Sequence, residues 1–300
     1  EYDYQVSVTD TVGNIGMSKG QFTVDTQVDS LSVHLDTLSD SGKVGDHITQ
    51  ESRPHFSGKA EAGSRIELTI DGQHVVTTAD SDGDWTIVVQ QTLTDGTYDY
   101  TVKATDVAGN STVVTESVQI KTTLQPTTLQ LNNQSDLMTN QPLPTLSGQS
   151  EPHATIQVSL SGEIYSTVAD AQGAWSIMVT SALASGSHSL KVQVTDIAGN
   201  SEKISETVWV DTTLPAATAK LTESSDSGAK GDNLTQHQAV TLEGITKPQS
   251  AVVIQFAGQE YSTLADKDGQ WQVALPAVNQ DGEYDYQVSV TDTVGNIGMS

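Results

Sequence analysis

A seven-residue turn motif recurs four times along the chain and fixes its period. It reads VTDTVGN at 8–14, ATDVAGN at 104–110, VTDIAGN at 194–200 and VTDTVGN at 290–296. The aspartates Asp10, Asp106, Asp196 and Asp292 lie 96, 90 and 96 residues apart by subtraction. Two further landmarks keep the same order, each beside three of the four copies. DGDW (82–85), QGAW (172–175) and DGQW (268–271) precede the turn, and VDT (24–26), IKTT (120–123) and VDTT (210–213) follow it. Self-similarity at the length of one small domain defines a tandem array, not a single large core.

Three hundred residues at this period give three repeats, each long enough for its own core. The apolar residues, 35% of the chain, fall in short alternating runs, and none approaches the roughly 20 residues that a membrane helix needs. The chain opens inside a repeat and is read as a piece of a longer array. Its net charge is −25, from 38 acidic and 13 basic residues, which argues against nucleic acid as a partner. There is no cysteine, so disulfides and thiolate metal sites are excluded.

Residues 1–25 read as the final strand pair (F–G) of a preceding repeat. Repeats follow at 26–121, 122–211 and 212–300. Glu1–Ser18 is identical to Glu283–Ser300, so the third repeat is expected to lack its last strand. In the first repeat, strand A covers 30–36, a polar A–B loop covers 39–49, and strand B covers 55–59. Strand C (65–70) turns at Asp71-Gly72 into strand D (74–78). Strand E carries Trp85, Ile87 and Val89 on one face, and strand F carries Tyr98, Tyr100, Val102 and Ala104; strand G covers 113–120. Seven short strands at turn spacings of about 8–12 residues, with no helical period, predict an all-β fold of tandem immunoglobulin-like seven-stranded sandwiches, arranged end to end as a rod. Tyr98, after a Gly turn, reads as a tyrosine corner; Tyr284 repeats it and His188 replaces it. The middle repeat is six residues shorter, because the A–B loop SDSGKVGDHIT becomes SDLMTNQP. The linkers KTTLQP and DTTLP read as stiff junctions.

The acidic loops are the candidate chemistry. DSGxxGD presents Asp40 and Asp46 in repeat 1, and Asp226 and Asp232 in repeat 3, on loops with two glycines. Such a loop can converge the six to eight oxygens that Ca2+ takes, or be an ordinary solvated turn. The hairpin aspartates Asp106, Asp196 and Asp292 likewise read as ligands or as caps of their own turn. Sandwich topology brings the A–B loop of one repeat near the F–G hairpin of the next, with the linker aspartate between, where crowded carboxylates require a cation. Lys121 stands where the other linkers have Asp25 and Asp211, and the shortened middle loop keeps only Asp136, so unequal occupancy is expected. Trp85, Trp175 and Trp271 are expected in the cores. Trp209, whose counterparts are Thr23 and Gln119, should face outward, as a junction cap or a sugar-stacking surface. The seven histidines lack metal spacing, and no nucleophile elbow or phosphate loop occurs, so no enzyme is expected.

The TDxAGN hairpin, DGxW, the VDTT junction and SDSGxxGDxxT together resemble the bacterial Ig-like repeats of giant adhesins exported by type I secretion, and within them the non-fimbrial adhesins of the SiiE type. The resemblance covers essentially the whole chain. It implies an extracellular, cell-surface stalk of a virulence-associated adhesin, Ca2+ at domain junctions, and host-cell glycan or receptor contact through the parent protein. Carried onto this sequence, the Ca2+ ligands are Asp40, Asp46, Asp211, Asp226 and Asp232, with Asp25, Asp106, Asp196 and Asp292 as further candidates. A rival expectation is a module that itself binds host carbohydrate through Trp209. The matching ends also suggest head-to-tail strand exchange, with residues 15–25 of one copy completing repeat 3 of another.

Overall fold

Period-2 alternation carries directly into the architecture. The computed structural model describes residues 1–300 as strands and turns, with no helix long and apolar enough to cross a membrane. Two compact units form, one of residues 1–125 with 195–202, the other of 126–194 with 203–300.

In the first unit, Tyr2–Thr9 and Ile15–Phe22 make a complete antiparallel hairpin, Tyr2 stacking on Phe22 with ring centroids 5.3 Å apart. The repeat that follows is a two-sheet sandwich. One sheet holds His34–Leu35, His55–Lys59 and Asp84–Val88. The other runs in the order Ile48–Thr49, Ser111–Ile120, Gly96–Thr105, Arg65–Ile70 and Gln73–Thr78. Strands C and D are therefore a hairpin within one sheet, set by the Asp71-Gly72 turn with positive φ at both residues. The A–B loop closes the sandwich by a short parallel pairing, Ile48 opposite Gln119 and Thr49 opposite Ile120. Between the sheets Phe56, Ile66, Leu68, Trp85, Tyr100, Val102 and Ile120 are buried. Trp85 lies across from Gly58, where an added Cβ would sit 2.0 Å from the Ser32 carbonyl oxygen and 2.8 Å from the indole. Strand B has glycine there because the Trp ring and strand A occupy the space of a side chain.

Repeats 2 and 3 follow the same strand plan. Repeat 2 pairs Gln130–Leu131, Thr145–Gln149 and Ala174–Met178 in one sheet. Its other sheet orders Met138–Thr139, Ser201–Val210, Gly186–Thr195, Thr155–Leu160 and Glu163–Val168. Repeat 3 has Lys220–Leu221, Thr241–Ile245 and Gln270–Ala274 against Gln259–Leu264, Ala251–Phe256, Tyr286–Thr291 and Ile297–Met299. Its last strand is present as three residues, and no strand pairs with Leu234–Thr235 as strand G pairs with Ile48–Thr49 in repeat 1. Trp85, Trp175 and Trp271 are all buried. The tyrosine corner is a bond from the Tyr98 hydroxyl to the Thr94 carbonyl at 3.0 Å and from Tyr284 to Gln280 at 2.8 Å. In repeat 2, His188 Nε2 lies 2.7 Å from the Ala184 carbonyl oxygen, at the same four-residue reach.

Candidate metal and junction site

Each TDxxGN hairpin is closed by its own aspartate and asparagine. Asp106 Oδ1 accepts the Gly109 and Asn110 backbone N–H at 2.6 and 2.8 Å, and Oδ2 accepts the Asn110 amide at 2.8 Å. The same clasp joins Asp10 to Asn14, Asp196 to Asn200 and Asp292 to Asn296. Asparagine has a second role. Its amide donates to a linker carbonyl just past the preceding strand G: Asn110 to Asp25 at 3.3 Å, Asn200 to Lys121 at 2.9 Å and Asn296 to Asp211 at 2.7 Å. The motif is thus a turn and a grip on the linker, a role that its turn chemistry alone does not disclose.

The linker is also held from behind. Asp95 accepts the Thr122 N–H and hydroxyl at 2.9 and 2.6 Å and the Thr123 hydroxyl at 2.8 Å. The Thr122 hydroxyl, with its N–H and Thr123, holds the Asp95 carboxyl below its ordinary range. Ser185 takes that place in repeat 2, 2.7 Å from the Thr212 hydroxyl.

The A–B loop of repeat 1 lies against the next hairpin. The Ser41 hydroxyl donates to the Ala198 carbonyl at 2.6 Å, and an added Cβ at Gly42 would meet the Ile197 carbonyl oxygen at 2.1 Å. Inside that loop, Asp40 Oδ2 accepts the Gly45 N–H at 2.7 Å and Asp46 Oδ1 the Ile48 N–H at 3.0 Å. Repeat 3 copies this with Asp226 to Gly231 at 2.6 Å and Asp232 to Leu234 at 3.0 Å. In both loops the first aspartate keeps a buried oxygen, Oδ1 of Asp40 and of Asp226, without a hydrogen-bond partner. Asp226 as a whole is only 6% exposed. A buried carboxylate oxygen facing no donor fits a cation-binding loop better than a solvated turn. In repeat 3 the Lys230 ammonium also donates to the backbone carbonyls of Glu223, at 2.8 Å, and Asp226.

A different set of carboxylates converges where the linker meets repeat 1. One oxygen each of Asp25, Glu61 and Asp106 lies within 4.8 Å of the others, with Asp106 buried, Glu61 half-buried and Asp25 exposed. Asp25 and Asp106 are readable as candidates from the repeated motifs. Glu61 is not, because the B–C turn has no repeating acidic motif; aligning SGKAEAGS, SGQSEPHA and EGITKPQS places Glu61 beside Glu151 and Lys247 and supplies the only signal.

At the hairpins of repeats 2 and 3 a lysine reaches the aspartate. Lys121 Nζ is 3.2 Å from Asp196 Oδ2, with the two side chains 13% and 0% exposed. Lys247 Nζ is 2.7 Å from Asp292 Oδ2 and 2.8 Å from Asp211 Oδ2. The Lys247 ammonium and the Thr213 hydroxyl pull the Asp211 carboxyl down to about 2. Burial raises the Asp292 carboxyl, but Lys247 and Asn296 outweigh it and hold it below its ordinary value. Burial likewise opposes the charge on Lys247, and the two aspartates overcome it, leaving the ammonium raised. Trp209 faces outward, 52% exposed, along a groove with Asp136, Leu137, Ser205, Glu206 and Thr207.

These features define tandem immunoglobulin-like sandwiches with acidic, tightly bonded junctions. The chain belongs to the bacterial Ig-like domain family, whose model matches residues 27–122, 124–212 and 213–300. No curated protein matches it. Among solved structures it is similar to a Ca2+-stabilized adhesin that helps an Antarctic bacterium reach out and bind ice (22% identity, 99% of this chain and 79% of that one, TM-score 0.34). It is also similar to a 1.5-MDa bacterial ice-binding adhesin (21%, 91% and 96%, TM-score 0.35) and to a tetra-tandem repeat from the extending region of a large adhesion protein (20%, 99% and 79%, TM-score 0.34).

Proposed function

We propose that the chain is a non-enzymatic stalk segment of an extracellular bacterial surface adhesin, with its sandwiches end to end as a rod stiffened by Ca2+ at the junctions. The observation that carries this reading is the docking of the Asp40–Asp46 loop on the 196–200 hairpin, beside a linker bonded from both sides. Such bonding suits a part that holds a distant binding region toward host cells, exported in the manner of type I-secreted adhesins.

The oxygens proposed for Ca2+ are those of the Asp40/Asp46 and Asp226/Asp232 loops and of Asp25, Glu61 and Asp106. The unpartnered Oδ1 atoms of Asp40 and Asp226 support the loops. Asp196, Asp211 and Asp292 instead meet lysine in this chain. When bound, Ca2+ supplies a divalent charge that several oxygens share. Calcium at a hundred times its dissociation constant would add about 2.7 kcal/mol per site. Small-angle scattering with and without EGTA tests the reading. Bending or compaction on chelation is expected, and a profile indifferent to calcium overturns it.

One observation favours a second reading, a module that binds host carbohydrate itself: Trp209 presents an exposed indole beside Ser205, Thr207 and two acidic side chains. Head-to-tail strand donation, with residues 15–25 of one copy beside the short Ile297–Met299 strand of another, belongs to the same set of proposals. Monomers at every concentration in sedimentation would remove it.

A further inference from the structure

Repeat 2 differs from its neighbours on one surface. In its five-stranded sheet, Ser201–Val210, Gly186–Thr195, Thr155–Leu160 and Glu163–Val168 lie side by side in that order. Alternate residues turn inward, so Lys203, Ser205, Thr207 and Trp209 face out on the first of these strands, and Ser189 and Lys191 on the second. On the other two strands the outward residues are paired, Gln157 with Ser166 and Ser159 with Ile164. No carboxylate occupies any of these positions, in a chain whose net charge is −25.

The other repeats are different there. Counted from the hairpin aspartates, Lys191 and Lys203 match Thr101 and Val113 in repeat 1 and Gln287 and Met299 in repeat 3, and Trp209 matches Gln119. Repeat 1 does carry Lys103 on this sheet, but it stands opposite Glu67. Repeat 3 has Glu260 there, bonded to the Gln255 amide at 2.7 Å. Lys191 and Lys203 have no carboxylate partner, unlike Lys59, Lys121, Lys220, Lys247 and Lys267. An exposed indole and two unpaired ammonium groups are thus departures of one repeat, and all three fall on one face.

Two grooves cross that face and share Ser205. One runs from Trp209 past Thr207, with Asp136 and Glu206 beside it. The other joins Lys191, Lys203, Gln157, Gln193 and Ser159. In repeat 1, Thr101 faces Thr115 and Lys103 faces Val113. The same register in repeat 2 sets Lys191 opposite Ser205 and Lys203 opposite Gln193, which makes the lysines diagonal neighbours within reach of one anion. Trp209 is four residues from Ser205 along its strand, about 13 Å. A short oligosaccharide spans that distance, and a single sugar does not.

We propose that this face of repeat 2 binds an acidic oligosaccharide. Trp209 stacks on a neutral ring, Asp136 and Glu206 accept its hydroxyls, and Lys191 with Lys203 takes the carboxylate or sulfate of a unit farther along. This rests on the reading of Trp209 as a carbohydrate platform and deepens it by naming the class of sugar. The chain as a whole repels anions, so affinity for an acidic sugar has to come from these local donors.

The test is NMR titration of the full chain with an unsulfated chondroitin tetrasaccharide, its sulfated form and neutral chitotetraose. Both acidic probes are expected to bind, and chitotetraose to bind about tenfold more weakly. Unsulfated chondroitin binding as well as the sulfated form would identify the carboxylate as the group recognised; binding of the sulfated form alone would identify the sulfate. Lys191→Gln and Lys203→Gln should each weaken the acidic probes about tenfold and leave chitotetraose unchanged. Lys43→Gln, in repeat 1, should change nothing, and Trp209→Ala should weaken all three probes. Equal losses from Lys43→Gln and the repeat 2 changes would mean diffuse charge and overturn the inference. So would three probes that bind alike and ignore Lys191 and Lys203, an outcome that keeps Trp209 as a platform for neutral sugar. No binding of any probe overturns the carbohydrate reading together with this inference and leaves the stalk reading in place.

Discussion

The hairpins of repeats 2 and 3 share one clasp but sit in different surroundings. At 196–200 the full A–B loop of repeat 1 lies on the turn, through Ser41 and Gly42, and the neutralising lysine comes from the linker, 13% exposed. At 292–296 the loop ahead is the shortened one; its Asn140 amide would lie 3.5 Å from an added Cβ at Gly295, and the lysine comes from the B–C turn, 28% exposed. The aspartate needs a positive neighbour in both places, and the fold accepts one from either side. The aspartate is buried in both, 0% and 3% exposed at the side chain, so the positive neighbour answers the same need whichever side it comes from.

The largest effect should come from removing the two lysines. Asp196 is fully buried, so Lys121→Met leaves a carboxylate uncompensated and should cost about 3–5 kcal/mol, as when one partner of a buried pair is removed. Asp292 is buried almost as fully, its side chain 3% exposed, so Lys247→Met should cost a similar amount, about 3–5 kcal/mol. Denaturant unfolding in EGTA, followed by hydrogen exchange at each hairpin, measures both. A loss below about 1 kcal/mol at either hairpin would show that the lysine is not what compensates the buried aspartate there.

Next in size is the loop contact itself. Gly42 and Gly45 both have positive φ, +70° and +82°, but only Gly42 has a backbone atom where a Cβ would go. Gly45→Ala should cost only the left-handed backbone strain, about 1 kcal/mol. Gly42→Ala should add the loss of the docked loop and of the Ser41 bond, for roughly 2–3 kcal/mol in total. Exchange protection at Ala198 should fall in the Gly42 variant and hold in the Gly45 variant. Protection lost equally in both would mean that the loop is held by its own turn and not by the hairpin.

The repeat 3 junction should also carry its own pH signature. Asp211 is held at about 2, below its ordinary 3.8, so its contribution is complete above the unfolded value and is lost as pH falls toward 2. Lys247 is raised above 10.5, so its contribution is present below that value and is lost as pH rises beyond it. Stability of this junction should therefore be flat between about pH 5 and 10 and decline on both sides. Lys247→Met should abolish the alkaline decline and shift the acid one to higher pH. An unchanged profile would remove Lys247 as the group that links the two aspartates.

Much of this was legible in the residues. Strand alternation, the Asp71-Gly72 turn and the three core tryptophans follow from local rules that tertiary packing does not override. So does the exposure of Trp209, because Thr23 and Gln119 mark its position as a solvent face. Less was legible at the junctions. The Asn110 grip on the linker lies beyond turn chemistry, since the partner carbonyl is 85 residues away in sequence. Glu61 and Lys247 occupy a turn with no motif, and only the packed fold puts them beside Asp106 and Asp292. The acidic spacing announced that charge would crowd there. It did not announce that the chain itself would supply two of the cations.

The smallest effect is expected at Trp209, where it separates the two functional readings. Its backbone N–H bonds the Leu137 carbonyl at 3.0 Å, and that bond survives any side-chain change. The indole is half exposed, and the matching position of repeat 1 is Gln119, in the same parallel pairing with the A–B loop. Trp209→Ala should therefore change stability by no more than about 0.5 kcal/mol, the usual range for surface substitutions. A loss above about 1 kcal/mol would make the indole a packing residue of the junction. With stability intact, glycan-array and cell-binding measurements become decisive. Binding abolished by this one change would favour a segment that itself recognises carbohydrate. Binding unaffected would leave recognition to another part of the parent protein and this chain as its support.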